Sequence, residues 1–131
     1  VGWATGPAAI IEKMTMLQQY TFVCAPSMAQ AAAAMAMETA IDHHVANFAR
    51  RRDMVFDALG DWGLAKPGGA FYAFVPAPGG NATEFVTRAI ANNVLVIPGN
   101  VFSQKDTHFR LSFATAEDKL AEGLAILKSL A

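Results

Sequence analysis

Charge, cysteine and long apolar runs are all scarce in this 131-residue chain. Ten Lys and Arg stand against eleven Asp and Glu, a net charge of −1, and charged residues make up 16% of the whole. No Lys/Arg stripe is present, which argues against nucleic acid as a partner. Arg50-Arg51-Arg52 is the only basic run. Asp53 follows it within a helical pattern, so a solvated helix face is expected there. Cys24 is the single cysteine, so no internal disulfide can form; that is in keeping with a reducing compartment, and a cytoplasmic protein is expected. No apolar run is long enough to span a bilayer, so no membrane partner is expected. Internal repeats, metal-ligand spacing, a Ser-His-Asp pattern and a nucleotide motif are all missing. His43 and His44 are adjacent and would point about 100° apart on a helix, which does not suit a shared metal.

The rest of the composition is globular. Apolar residues make up 53% of the chain, enough for one domain with a real core. Pro7 suits the start of a helix in which Ile10, Ile11, Met14 and Leu17 recur at helical spacing. Gln18 to Cys24 breaks that period and reads as a connector. Pro26-Ser27 opens a second helix on which Met28, Met35 and Met37 are expected to be core. A long amphipathic helix runs from about Thr39 to Leu59 and ends at Gly60, as a residue able to take positive φ. Ala70 to Val75 and Val94 to Ile97 read as strands. A helix begins at Ala82 or Thr83 and stops at Asn92-Asn93. A last helix spans Ala116 to Leu130.

The order from Phe71 onward is strand, helix, strand, strand, helix. The fold class is therefore α/β: a small sheet covered by helices on one face, with a long bridging helix and a C-terminal helix. The third strand lies in Thr107-His-Phe-Arg-Leu-Ser-Phe-Ala114 and buries Phe109, Leu111 and Phe113. Arg110 then points the other way, toward the opposite face or a cleft. A guanidinium carries a planar fork of donors that matches a carboxylate two-to-two. Arg110 could hold the carboxylate of a small molecule, or be a surface or structurally paired arginine. His108 is expected on the other strand face, without a role. Cys24 has no evident base partner and reads as an inert thiol.

Four pieces in fixed order carry a resemblance that covers essentially the whole chain: Val1-Gly-Trp-Ala-Thr-Gly-Pro7, Ala25-Pro-Ser-Met-Ala-Gln30, Gly69-Ala-Phe-Tyr-Ala-Phe74, and Val94-Leu-Val-Ile-Pro-Gly99 followed by Phe109-Arg-Leu-Ser-Phe-Ala114. Together they resemble the C-terminal part of a class I/II, fold-type I, pyridoxal-phosphate aminotransferase. The resemblance implies that Arg110 grips the α-carboxylate of an amino-acid or 2-oxo-acid substrate. It implies that Pro98-Gly99 and the loop to Phe102 close over that substrate, and that Phe71 and Tyr72 lie on a supporting strand. Tyr20 and Thr21 resemble a segment that approaches the cofactor phosphate of a partner subunit in a homodimer.

The resemblance also implies an absence. Val1-Gly2-Trp3 matches the tail of an Arg-x-Gly-Trp motif, so the Schiff-base lysine would fall upstream of residue 1. None of Lys13, Lys66, Lys105, Lys119 and Lys128 matches its context. The chain is thus expected to be a piece of a longer enzyme, inactive alone, with no cofactor bound covalently and no catalytic residue of its own. Residues 1–38 would be the tail of the large cofactor-binding domain and residues 39–131 the small domain. Without the large domain, the helix from Pro26 to Met37 should expose apolar surface and drive self-association. Two rivals stand beside the aminotransferase: another enzyme on the same scaffold, such as a C–S lyase or a decarboxylating synthase, and a free-standing α/β module that binds carboxylates or proteins.

Overall fold

The computed structural model describes every residue from Val1 to Ala131. The chain divides into two compact units, Val1–Ile41 and Asp42–Ala131.

The first unit holds two helices, α1 (Ala8–Gln19) and α2 (Ser27–Ala36). Each follows a proline with extended ψ, and the carbonyls of Pro7 and Pro26 accept the first helical bonds, from Ile11 and Gln30. No residue of this unit is buried. The expectation that the methionines form core is therefore corrected. Met28, Met35 and Met37 are all at least 77% exposed, because two short helices supply no third surface to cover them. Val23, in the connector, takes φ +61, which is uncommon for a β-branched residue.

The second unit contains α3 (Asp42–Leu59), β1 (Tyr72–Pro76), α4 (Ala82–Ala91), β2 (Ile97–Pro98), β3 (His108–Ser112) and α5 (Glu117–Ser129). The three strands form an antiparallel sheet in the order β1-β3-β2. One sheet face is the core: Ala73, Val75, Phe109 and Leu111 are buried with Val55 and Leu59 of α3, Phe85 of α4 and Leu120, Leu124 and Leu127 of α5. The expected sheet with helices on one face is what forms. Phe85 stacks on Phe109 at 5.2 Å and meets Trp62 edge-on at 5.7 Å.

Several boundaries differ from the sequence reading, each for a local reason. The chain does not turn left-handed at Gly60. It tightens into a 3-10 turn over Gly60–Trp62, and Gly63, at φ +86, takes the left-handed position. Asn81 caps α4 by accepting the Glu84 N–H at 3.1 Å. Asn93, at φ +63, stops that helix as expected. The strand expected over Val94–Ile97 shrinks to Ile97–Pro98. The Val94 N–H is taken by the Ala89 carbonyl, and Pro98 has no N–H with which to extend the ladder.

Candidate active site

β3 alternates as expected: Phe109 and Leu111 are buried while His108 and Arg110 are half-buried on the other face. His108 and Arg110 therefore share a face, which corrects the expectation that they lie on opposite ones; residues two apart in a strand point the same way. The register sets Phe74 of β1 opposite Arg110 and Ile97 of β2 opposite it on the other side. Tyr72, Phe74, His108, Arg110 and Ser112 thus line the face of the sheet away from the core.

Arg110 makes no salt bridge and no side-chain hydrogen bond. Its guanidinium carbon lies 4.4 Å from the centroid of the Tyr72 ring and 4.6 Å from that of Phe102. Both distances fall within cation–π range. Beside it, Phe74 stacks on His108 with the rings 6° from parallel and 5.2 Å apart, and the His108 Nδ1 is 2.9 Å from the Thr107 hydroxyl.

The loop after β2 is mounted on two elements. Gly99 is buried against β3, and the N–H groups of Phe102 and Ser103 both donate to the Gly99 carbonyl. Asn100 donates to the Thr83 hydroxyl at 2.8 Å. Further on, Asp106 accepts the Ala82 N–H with its carbonyl and the Thr83 N–H with its carboxylate. The first turn of α4 thus holds both ends of the loop that carries Phe102.

Outside this region four ion pairs form, and Arg51, like Arg110, has no acid on it; its Nε is buried without a hydrogen-bond partner. Asp53 accepts from Arg52 and Lys66, both at 2.9 Å, and those two hydrogen bonds, Lys66 foremost, hold its carboxyl below the ordinary carboxylate value. Arg50 reaches Glu117 at 3.4 Å. Arg51 departs from the expected solvated face: it is half-buried and lies over the Phe48 ring at 5.5 Å. The His43 and His44 rings, expected to diverge, come to 3.8 Å on the exposed start of α3. No group of three metal-ligating side chains exists, and no helix is long and apolar enough to cross a membrane. Cys24 is exposed.

With the sheet, its helical cover and the arginine face in place, the class follows. The chain belongs to the aminotransferase class I and II family, whose model matches residues 1–127. It is similar to the aromatic-amino-acid aminotransferase 2 of Thermococcus litoralis, with 34% identity over 135 residues, covering 95% of this chain and 35% of that protein. It is equally similar to the aspartate aminotransferase of Pyrococcus abyssi, with the same identity and coverage. Among solved structures it resembles the aromatic aminotransferase of Pyrococcus horikoshii, with a TM-score of 0.82 and 31% identity over 95% of this chain and 38% of that one. The aspartate aminotransferase of Thermotoga maritima gives the same TM-score and identity, over 92% of this chain and 32% of that one. The chain thus spans about a third of the length of these relatives, as expected of a portion of a fold-type I aminotransferase.

Family membership implies pyridoxal phosphate in the whole enzyme. The residues present do not by themselves form a seat for it. Tyr20 is 83% exposed. The Thr21 hydroxyl is directed back to the carbonyls of Leu17 and Gln18. Lys66 and Lys119 are paired with Asp53 and Glu122.

Of the two residues expected on the supporting strand, Tyr72 opens β1 and Phe71 lies just ahead of it; Phe102 ends the loop expected to close over the substrate. The sequence reading missed that the rings of Tyr72 and Phe102 meet at Arg110. The alternation Tyr72-Ala73-Phe74, set antiparallel to His108–Ser112, carried that signal for Tyr72; nothing local carried it for Phe102.

Proposed function

We propose that the protein to which these residues belong transfers an amino group between an amino acid and a 2-oxo acid. Arg110 holds the substrate α-carboxylate. The observation that carries this reading is a half-buried guanidinium with no protein acid on it, standing on the open face of the sheet. Such a group has its whole fork of donors free for a carboxylate. Fixing one end of the substrate confines its Cα–H to a narrow region, which lowers the entropic barrier to proton removal. Pro98, Gly99 and the loop to Phe102 border the site and limit water there.

The remaining chemistry belongs to chain outside these 131 residues. Pyridoxal phosphate supplies an electron sink when bound to a lysine of that other part. Residues 1–38 form the end of the large cofactor-binding domain, with Tyr20 and Thr21 near the cofactor phosphate of the partner subunit in a homodimer. Residues 39–131 form the small domain. The whole enzyme works in the cytoplasm, and the 131 residues alone are inactive.

The test is amino transfer by the full-length protein, together with reduction by borohydride in the presence of pyridoxal phosphate and mapping of the adduct by mass spectrometry. Formation of 2-oxo acid from the donor, with the adduct on a lysine outside these residues, is expected. Turnover by the 131-residue chain, with a stoichiometric adduct on one of its five lysines, would overturn the reading. Release of pyruvate and ammonia in place of amino transfer would assign a lyase to the same scaffold.

A further inference from the structure

We propose that Tyr72 and Phe102 form a two-ring clamp that sets the orientation of the Arg110 guanidinium, making both of them positioning residues for carboxylate capture. The inference rests on the reading of Arg110 given above.

A planar guanidinium has two kinds of surface. Its edge carries the N–H donors, and its faces carry positive charge without donors. Aromatic rings attract a cation through the ring face, whereas a carboxylate binds the edge, in plane, through two parallel hydrogen bonds. A ring lying on the guanidinium face therefore restrains the group without spending the donors a ligand needs. A protein acid would restrain it too, but would occupy the fork. At Arg110 the acid is missing and two rings are present, at 4.4 and 4.6 Å.

The rings reach Arg110 from opposite flanks of β3. Tyr72 comes from β1, two residues from the Phe74–Arg110 pair, at the diagonal position a long side chain can bridge. Phe102 comes from the turn that follows β2 on the other side. Tyr72 is 39% and Phe102 50% exposed, and each is backed on one side. The Tyr72 ring touches Phe71 at 4.4 Å, and Phe71 meets Phe48 of α3 at 6.3 Å. Phe102 closes its turn on the Gly99 carbonyl at 2.9 Å, and Asn100 ties that turn to α4. A long side chain that would otherwise sample many rotamers is restricted before the ligand arrives, which is preorganisation of the binding geometry.

The experiment uses the full-length protein and two readouts: Kd for propionate, a carboxylate with no amino group to react, and KM and kcat for the amino donor. Tyr72→Leu and Phe102→Leu should each weaken propionate and raise KM about fivefold, a size set by the loss of one partly exposed cation–π contact, with kcat changed by less than about twofold. Tyr72→Phe keeps the ring and should restore wild-type values. Arg110→Leu separates the two readings. If it abolishes propionate binding while the ring variants bind normally, the clamp is refuted and the role of Arg110 stands. If it leaves propionate binding intact, the carboxylate reading fails and the clamp with it. Failure of Tyr72→Phe to rescue would likewise refute a role for the ring face. Should a leucine variant not fold, NMR of the unmodified protein decides: ring currents should move the Arg110 side-chain resonances upfield, and resonances at ordinary arginine positions would overturn the clamp.

Discussion

Gly99 lies against the His108 backbone so closely that a Cβ on it would stand 2.5 Å from the His108 carbonyl oxygen and 2.9 Å from Cζ of Phe74. The glycine is there for space and not for a left-handed φ. Its closeness lets the following turn fold back and bring Phe102 over Arg110. Gly99→Ala is expected to cost about 1–3 kcal/mol by overpacking, measured by chemical denaturation, and to weaken carboxylate binding as is expected of Phe102→Leu. A variant as stable as wild type with unchanged binding would show that the turn has room to give.

The stability of the second unit should depend on the aromatic stack between α4 and β3. Phe85 and Phe109 are both fully buried. Truncating either to alanine is expected to cost about 3–5 kcal/mol. Leu95, 83% exposed on the segment before β2, should tolerate alanine within about 0.5 kcal/mol. Equal effects at Phe109 and Leu95 would contradict the assignment of the core to one sheet face.

Self-association of the 131-residue chain is the expected behaviour of its first unit. Trp3, Tyr20, Met28, Met35 and Met37 are all more than three-quarters exposed, and apolar surface on that scale seeks cover. Light scattering across a concentration series should show mass rising above the monomer. Replacing Met28 and Met35 by lysine should reduce that rise. A monomer at every concentration would contradict the prediction.

Asp53 provides a pH-dependent contribution of known sign. Its carboxyl is held below the ordinary value by hydrogen bonds from Lys66 and Arg52, so the folded state favours the ionised form. The contribution is present above the unfolded-state pKa and is lost as pH falls through the lower folded value. Asp53→Asn should flatten stability against pH in that acidic window and leave the neutral-to-alkaline profile parallel to wild type. An NMR titration of Asp53 at or above the ordinary carboxylate value would refute this.

What could be read without coordinates was whatever depends on local periodicity. The alternation of Phe109, Arg110 and Leu111 gave the strand, its buried side and the outward arginine. Asn93 marked the end of α4 because its short polar side chain tolerates left-handed φ. The misses arose where distant backbone decides. Val94–Val96 has strand composition, but the Ala89 carbonyl takes the Val94 N–H, and no neighbour pairs with that edge. Met28 and Met35 have core composition but no covering surface among these residues. His108 shares the Arg110 face because two residues along a strand return to the same side. The ring of Phe102 meets Arg110 from a turn whose Gly99 lies against β3, a three-dimensional relation that no window of sequence displays.

The most direct measurement is binding of an unreactive carboxylate to the full-length protein carrying Arg110→Leu and Arg110→Lys. Loss of a charged, two-pronged hydrogen bond is worth about 1.5–3 kcal/mol, so the leucine variant should bind about 10- to 150-fold more weakly. Lysine, a point charge without the fork, should recover only part of that. Binding by the leucine variant as tight as by wild type would contradict the assignment of Arg110 to the substrate carboxylate.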